Sequence, residues 1–548
     1  MEAIIIVLFL LLAVVLSDSL SRAVPWPIPL PLVQIALGAA IGFIADFRVE
    51  LDPEIFFALF LPPLLFLDGW RIPKQGLFRD HWTILELALG LVVVTVLGMG
   101  FFIHWMIPAM PLAVAFALAA VVSPTDPIAV SAIATRVPIP KRLMHILEGE
   151  SLLNDASGLV CLRFALAAAL TGMFSIQEAL TTFVWLSAGG VAIGVAVTLG
   201  ATKAKSLIAR RFGEEAGSQI LISLLIPFGA YMAAEHFHCS GILAAVAAGI
   251  TMSYVELTGQ AMAVTRVRRS AVWDTVQFAI NGIIFVLLGE QLPGIFSKAV
   301  DTVQESNHQD PWWLAVYALA INAGLALSRL LWVWVSLKLT LFRTLRRGEQ
   351  VKEQNWRITV ATSLAGVRGT ITLAGVLTFP LMMPDGSAFP ARDLAIFLAA
   401  GVIILSLAGA SIGLPKLLRG LEVPSDNHRV AEEDLARARA AEAAIRAVEK
   451  AQHEMAEDRP DADIYVEAGT RIMDVYRHRL KGQSGSGEER EVIRKTDEIE
   501  RNLRLAGLRA ERDELFRLAR SREIGDDLMR RLVREIDLKD AQQSAPLH

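Results

Sequence analysis

Long apolar runs recur through the first 420 residues of this 548-residue chain, among them Glu2 to Ser17, Ile84 to Ile107, Ala179 to Gly200 and Asp393 to Leu414. Each is long enough to cross a hydrocarbon core of about 30 Å. The chain is 54% hydrophobic and 20% charged, and the charges avoid this part and crowd residues 424–548. A soluble protein rarely supplies thirteen such runs. The spans predicted are 2–17, 27–46, 54–69, 84–107, 111–134, 143–170, 179–200, 217–235, 240–256, 271–292, 312–340, 358–380 and 393–418. The expected fold class is therefore an all-α integral membrane protein of about 13 transmembrane helices, domain 1–420. A cytosolic, mostly helical C-terminal tail, 424–548, follows.

The first run lacks a basic leader and a small-residue cleavage site, so it reads as a retained span. Loops 70–83 (Arg71, Lys74, Arg79), 135–142 (Arg136, Lys141, Arg142), 201–216 (Lys203, Lys205, Arg210, Arg211), 257–270 (Arg266, Arg268, Arg269) and 341–357 (Arg343, Arg346, Arg347, Lys352, Arg357) are basic. The intervening loops 108–110, 171–178 and 236–239 carry no Lys or Arg, and 293–311 carries only Lys298. This alternation puts the basic loops and the C-terminus in the cytoplasm and the N-terminus outside. Two cysteines, Cys161 and Cys239, without metal-ligand spacing argue against a disulfide framework or zinc site. A net charge of -4 points to no nucleic acid or other polyanion. There is no Walker loop, and His236 and His238 have no acid or nucleophile at useful spacing, so no enzyme and no cofactor is expected. The tail, with its stretch "AEEDLARARAAEAAIRAVEKAQHEM", suits regulation, partner binding or simple solvation.

Carboxylates inside such greasy surroundings need a reason. In "SPTDP", Pro124 and Pro127 donate no backbone hydrogen bond and push Ser123 and Asp126 away from helical dihedrals. The break lies roughly 18 to 24 Å into span 5 at 1.5 Å per residue. A proline kink is the plain reading. It leaves Asp126 and the hydroxyls of Ser123 and Thr125 unexplained, whereas broken backbone lining a cavity coordinates cations. On span 6, Ser151 and Asp155 share a helix face, while Glu150 and Asn154 share another about 100 to 140° around. Asp155 then faces a pathway and Glu150 a basic partner. Glu148 suits a funnel or an interface, and Asp68 in "LPPLLFLDGW" an interface or the pathway. Arg368 in "AGVRGTITLAG", between Gly366 and Gly369, is too deep to snorkel; Arg329 in "LALSRLLWVW" suits either snorkelling or pairing. Spans 5 and 12 are interrupted and seven apart, hence oppositely oriented. Two inverted repeats, spans 1–6 and 8–13 joined by span 7, would cross their broken helices at the midplane.

With "SPTDPIAV", "EGESLLNDASG", "LPPLLFLDGW" and "GVRGTITLAG" in this order, the chain resembles the monovalent cation/proton antiporter-1 family. These are the bacterial, NhaP-like sodium/proton antiporters akin to animal sodium/proton exchangers. The resemblance implies a homodimer in the bacterial plasma (inner) membrane, each protomer with a dimerisation domain and a moving six-helix core, serving pH and sodium homeostasis. It places the ion-binding aspartate on Asp155, with Asp126, Ser151 and Thr125 as further ligands of the monovalent cation. Asn154 then supports the broken helix, and Glu150 and Arg368 match the family's buried ion pair. Arg329 stands beside these as a second basic support on its depth in span 11 alone.

The chemistry of the residues agrees. Desolvation disfavours a charged carboxylate and a bound cation favours it, so a proton and Na+ (or Li+ or K+) compete for one site. Either one neutralises the site and lets it move, which describes alternating access. One titrating carboxylate predicts electroneutral one-for-one exchange. A cation channel would instead favour a repeated ring of acids, and a sensor signalling through its tail would need no turnover.

Overall fold

The computed structural model describes residues 2–23, 28–44, 53–72, 85–126, 130, 141–172, 176–212, 215–256, 263–305, 310, 312–346, 356–419, 427–457, 462–484, 487–521, 523–524 and 526–544. They form two compact units, Met1–Val423 and Pro424–His548.

In the first unit, every apolar run contributes helix. The helices are α1 (Glu2–Ala23), α2 (Leu30–Ile44), α3 (Pro53–Arg71), α4 (Val92–Met106), α5 (Leu112–Val122), α6 (Lys141–Thr171) and α7 (Ile176–Phe212). They continue as α8 (Ala216–His236), α9 (Gly241–Glu256), α10 (Ala263–Glu305), α11 (Trp313–Arg346), α12 (Trp356–Leu364), α13 (Thr370–Leu377) and α14 (Arg392–Leu418). A π-turn, Glu86–Leu91, leads into α4. Among the described residues, eight helices are long and apolar enough to cross a membrane, and Leu30–Phe43, Leu112–Val122 and Gly241–Glu256 are shorter apolar helices. Several helices outrun their apolar segments. α7 continues to Phe212 and α10 begins at Ala263, because Lys, Arg and Ala flanks are good helix formers. Arg269, expected in a loop, is therefore helical and buried.

The breaks are where Pro and Gly stand. α5 stops at Val122, just before Ser123-Pro124, and α12 and α13 are separated by Ala365 to Gly369. Pro127, residues 128–129 and residues 131–140, the second half of predicted span 5 apart from Val130, lie outside the described residues, as do most of loop 70–83 and loop 135–142.

α2 runs along α10, α9 along α3 and α7, and α5 sits between α4 and α6. α14 packs on α10, α11 and α12. Residues from Val114 to Val122 on α5 are almost all buried. Backbones approach closely where side chains vanish: a Cβ on Gly38 would strike the Val286 carbonyl and one on Gly42 the Glu290 carbonyl. This is how membrane helices gain packing contacts without a hydrophobic drive. The outer faces expose Leu8, Val15, Trp105, Val184 and Trp334, an apolar surface far too large for water.

The second unit comprises α15 (Asn427–Ala456), α16 (Ala462–Ser484), α17 (Gly487–Arg520) and α18 (Asp526–Ser544). α15 packs on α16 and α17 on α18. Arg512 bridges the latter pair, reaching Asp537 at 2.9 Å and Asp540 at 2.5 Å.

Candidate functional site

An unbroken helix would bond the Asp126 N–H to the Val122 carbonyl and the Thr370 N–H to the Gly366 carbonyl, four residues back in each case. Both bonds are severed, and all four groups find partners at one crossing. The Asp126 N–H donates to the Val367 carbonyl at 2.7 Å. The Thr370 N–H donates to Asp126 Oδ2 at 3.3 Å. The two freed carbonyls go to one side chain: Arg368 Nε donates to Val122 O at 2.9 Å, and its Nη1 donates to Gly366 O. Burying orphaned backbone groups is costly, so this exchange is what makes the interruption tolerable. Gly369 is required by space, since a Cβ there would overlap the Asp126 carboxylate.

α6 lies against the same break. Gly158 brings it onto the Pro124 ring, which a Cβ would strike. Asn154 Nδ2 donates to Thr125 Oγ1 at 3.0 Å, and the Thr125 hydroxyl lies 3.4 Å from Glu150 Oε1. Asn154 and Glu150 therefore look to the break together, as their four-residue spacing predicts. Asp155 is 3% exposed. It carries a side-chain hydrogen bond with Ser151 and feels the charges of Asp126, Asp68 and Glu150. Ser123 Oγ and Asn154 Oδ1 are buried without a hydrogen-bond partner among the described residues. A hydroxyl and an amide oxygen of this kind suit a monovalent cation or a water. Among the described residues no three His, Cys, Asp or Glu converge tightly enough to hold a metal ion. Asp155 and Asp126 thus do not form a ready multi-carboxylate cage.

The expected pairing of Glu150 with Arg368 is corrected. Glu150 is held by Arg329 in a two-pronged ion pair, Nη1 to Oε1 at 2.5 Å and Nη2 to Oε2 at 2.8 Å, with both residues fully buried. Arg329 Nε also donates to Thr362 O at 3.2 Å on α12. Snorkelling is thereby ruled out for Arg329. Arg368 spends its donors on carbonyls, and its backbone N–H donates to Ser406 Oγ on α14 at 3.1 Å.

Sequence reasoning missed two features. Asp68, left between interface and pathway, interacts electrostatically with Asp126, Arg71 and Glu148, so it belongs to the carboxylate group around the break. Glu148 itself is only half-buried. The π-turn before α4 was not foreseen. It frees the Ala88 carbonyl to accept from Ser157 Oγ at 2.7 Å, one helical turn from Asn154, and Trp332 Nε1 donates to Glu86 O at 3.1 Å.

Comparison with known proteins follows the same outline. The family model described as "Sodium/hydrogen exchanger, transmembrane" matches residues 5–420. The chain is 41% identical over 546 residues to the "Uncharacterized Na(+)/H(+) exchanger YjcE" of Escherichia coli (strain K12), covering 99% of each. It is 42% identical over 419 residues to the "Sodium, potassium, lithium and rubidium/H(+) antiporter" of Bacillus pumilus (strain SAFR-032), 76% of this chain and 61% of that one. The solved sodium proton antiporter MjNhaP1 from Methanocaldococcus jannaschii superposes with a TM-score of 0.58 at 20% identity, over 77% of this chain and 99% of that one, a likeness of fold.

Proposed function

Because this chain belongs to the sodium/hydrogen exchanger family, we propose that it is a secondary antiporter exchanging a monovalent cation for a proton by alternating access. The observation that carries this reading is the crossing itself: two interrupted helices exchange backbone bonds beside buried Asp126 and Asp155. Asp155 takes either a proton or the cation. Asp126, Ser151 and Thr125 supply the remaining oxygens, and Asn154 fixes Thr125. Arg368 holds the freed carbonyls, and Glu150 and Arg329 cancel one another and leave the exchange to Asp155. Sodium is the cation proposed first, and potassium and lithium, which the name of the Bacillus relative lists beside it, are accepted as well.

The protein acts as a homodimer in the cell membrane, with the N-terminus outside and residues 424–548 in the cytoplasm, and exchanges one cation for one proton. With a single exchanging carboxylate, each half-cycle crosses the membrane with the same charge. The test uses the purified full chain in liposomes with a trapped pH dye, challenged with sodium, lithium and potassium. Cation-driven proton movement is expected without single-channel current. No proton movement with any of the three would refute antiport. A potential of 100 mV is worth about 2.3 kcal/mol per net charge moved, so flux with the potential clamped and free should agree. A large gain on clamping would require a second proton per cycle.

A further inference from the structure

The π-turn Glu86–Leu91 stands within otherwise helical backbone, with Leu85 and Val92 on either side at α-helical dihedrals. Single π-turns inside helices recur at functional sites. Two helices grip this one. From α6, Ser157 Oγ donates to the Ala88 carbonyl at 2.7 Å, both residues being buried. From α11, Trp332 Nε1 donates to the Glu86 carbonyl and Ser336 Oγ to Glu86 Oε2, each at 3.1 Å. The Trp332 ring lies against Gly90, where a Cβ would strike it.

Arg329 and Glu150 already tie α11 to α6 directly. On α6 the two ties, Glu150 and Ser157, share a face two turns apart, roughly 10 Å along the axis. Ser151, Asn154 and Asp155 lie between them. On α11, Arg329 and Ser336 are likewise two turns apart, so the two helices and the π-turn close a frame around the segment that carries the site. One tie would let α6 pivot, whereas two fix its rotation. That rotation decides whether Asn154 reaches Thr125, 3.0 Å away, and which way Asp155 points. The Ser157 hydroxyl has one proton to give. It also lies 3.0 Å from Asn154 O and 3.2 Å from Leu153 O, the back-bonds open to any helical serine, but its shortest contact is the one that crosses to the π-turn. We infer that Ser157 is a positioning residue for the exchange: through the π-turn it holds α6 in the rotation at which Asn154 and Asp155 meet the cation. This role rests on the antiport reading, and Ser157 works through its neighbours on α6 rather than on the ion.

The experiment measures sodium-driven proton flux against sodium concentration for the full chain in liposomes, at one fixed pH and per unit of folded protein. Ser157→Ala should raise the apparent KM about three- to tenfold, the range that one lost buried hydrogen bond supplies, with kcat little changed. A merely structural loss would lower flux at every sodium concentration and leave KM where it was. Ser157→Thr keeps the hydroxyl and should return KM to the wild-type value. Trp332→Phe keeps a ring against Gly90 but loses the donor, so it should raise KM by a smaller factor. It leaves α6 untouched and carries the test if Ser157→Ala does not fold. In an Asn154→Ala background, Ser157→Ala should add little, because the contact it secures is already gone. Wild-type KM in Ser157→Ala, or in Trp332→Phe where the former does not fold, would overturn the proposal. So would Ser157→Thr as impaired as Ser157→Ala, or additive effects of Ser157→Ala and Asn154→Ala. A wild type that moves no protons would sink the antiport reading itself, and this role with it.

Discussion

Arg329 and Arg368 are both buried in the same bundle, and their charges are handled in opposite ways. Arg329 meets Glu150 along two parallel hydrogen bonds, and the pair is neutral. Arg368 meets the carbonyls of Val122 and Gly366, so its hydrogen bonds are satisfied while its positive charge persists beside Asp126. One region closes its electrostatics internally; the other stays open, its arginine holding broken backbone rather than an acid. The difference teaches that depth in a bilayer does not by itself say whether an arginine is tied up in an ion pair or spent on joining two interrupted helices.

The comparison breaks most visibly at Asp155. In the antiport reading, Asp155→Asn keeps the side chain's size but binds no exchangeable proton, so cation-driven proton flux in liposomes should fall to background with the melting temperature nearly unchanged. Persistent flux would move the exchanging charge elsewhere in the open region. In the closed region the effect is on stability. Glu150→Ala or Arg329→Ala should each cost about 3 to 5 kcal/mol, because one buried charge is left alone, and the double variant should cost less than the sum. A Glu150–Arg368 cycle should couple more weakly, and the reverse ranking would restore the pairing that family resemblance implied.

Two smaller substitutions sharpen the contrast. Arg368→Lys keeps the charge but not the planar fork that serves two carbonyls, so one carbonyl is stranded at about 1 to 3 kcal/mol. Denaturation that leaves Arg368→Lys as stable as the wild type would show that charge alone suffices. Asn154→Ala removes the bond to Thr125 and should cost about 0.5 to 1.5 kcal/mol, with apparent cation affinity weakened because Thr125 is no longer fixed. An unchanged affinity would separate Asn154 from the site.

Much of this architecture could be read along the chain, since length and apolarity locate helices and Pro124, Gly366 and Gly369 locate the interruptions. The register of α6 was legible too: a period of 3.6 residues is enough to put Glu150 and Asn154 on one face and Ser151 and Asp155 on the other. What a one-dimensional pattern lacks is lateral information. Arg329 and Arg368 sit at similar depths on successive spans, and nothing in their flanks says which one faces Glu150. Asp68 was obscured for a related reason, because its place near a helix end matches an interfacial residue until Asp126 in the break and Glu148 on α6 are in view. The extra residue of the π-turn has no compositional mark at all. It is a three-dimensional accommodation to Ser157 and Trp332.

The bond between the Asp126 N–H and the Val367 carbonyl runs from backbone to backbone. Its existence is indifferent to the side chains at either position, so the frame that joins the two interrupted helices and the acid that projects from it are separable in inheritance. A lineage that trades the residue at 126 keeps this backbone join and gives up the contact of the Thr370 N–H with the carboxylate. In the antiport reading, diversity of cargo within one scaffold then requires point changes rather than a new fold.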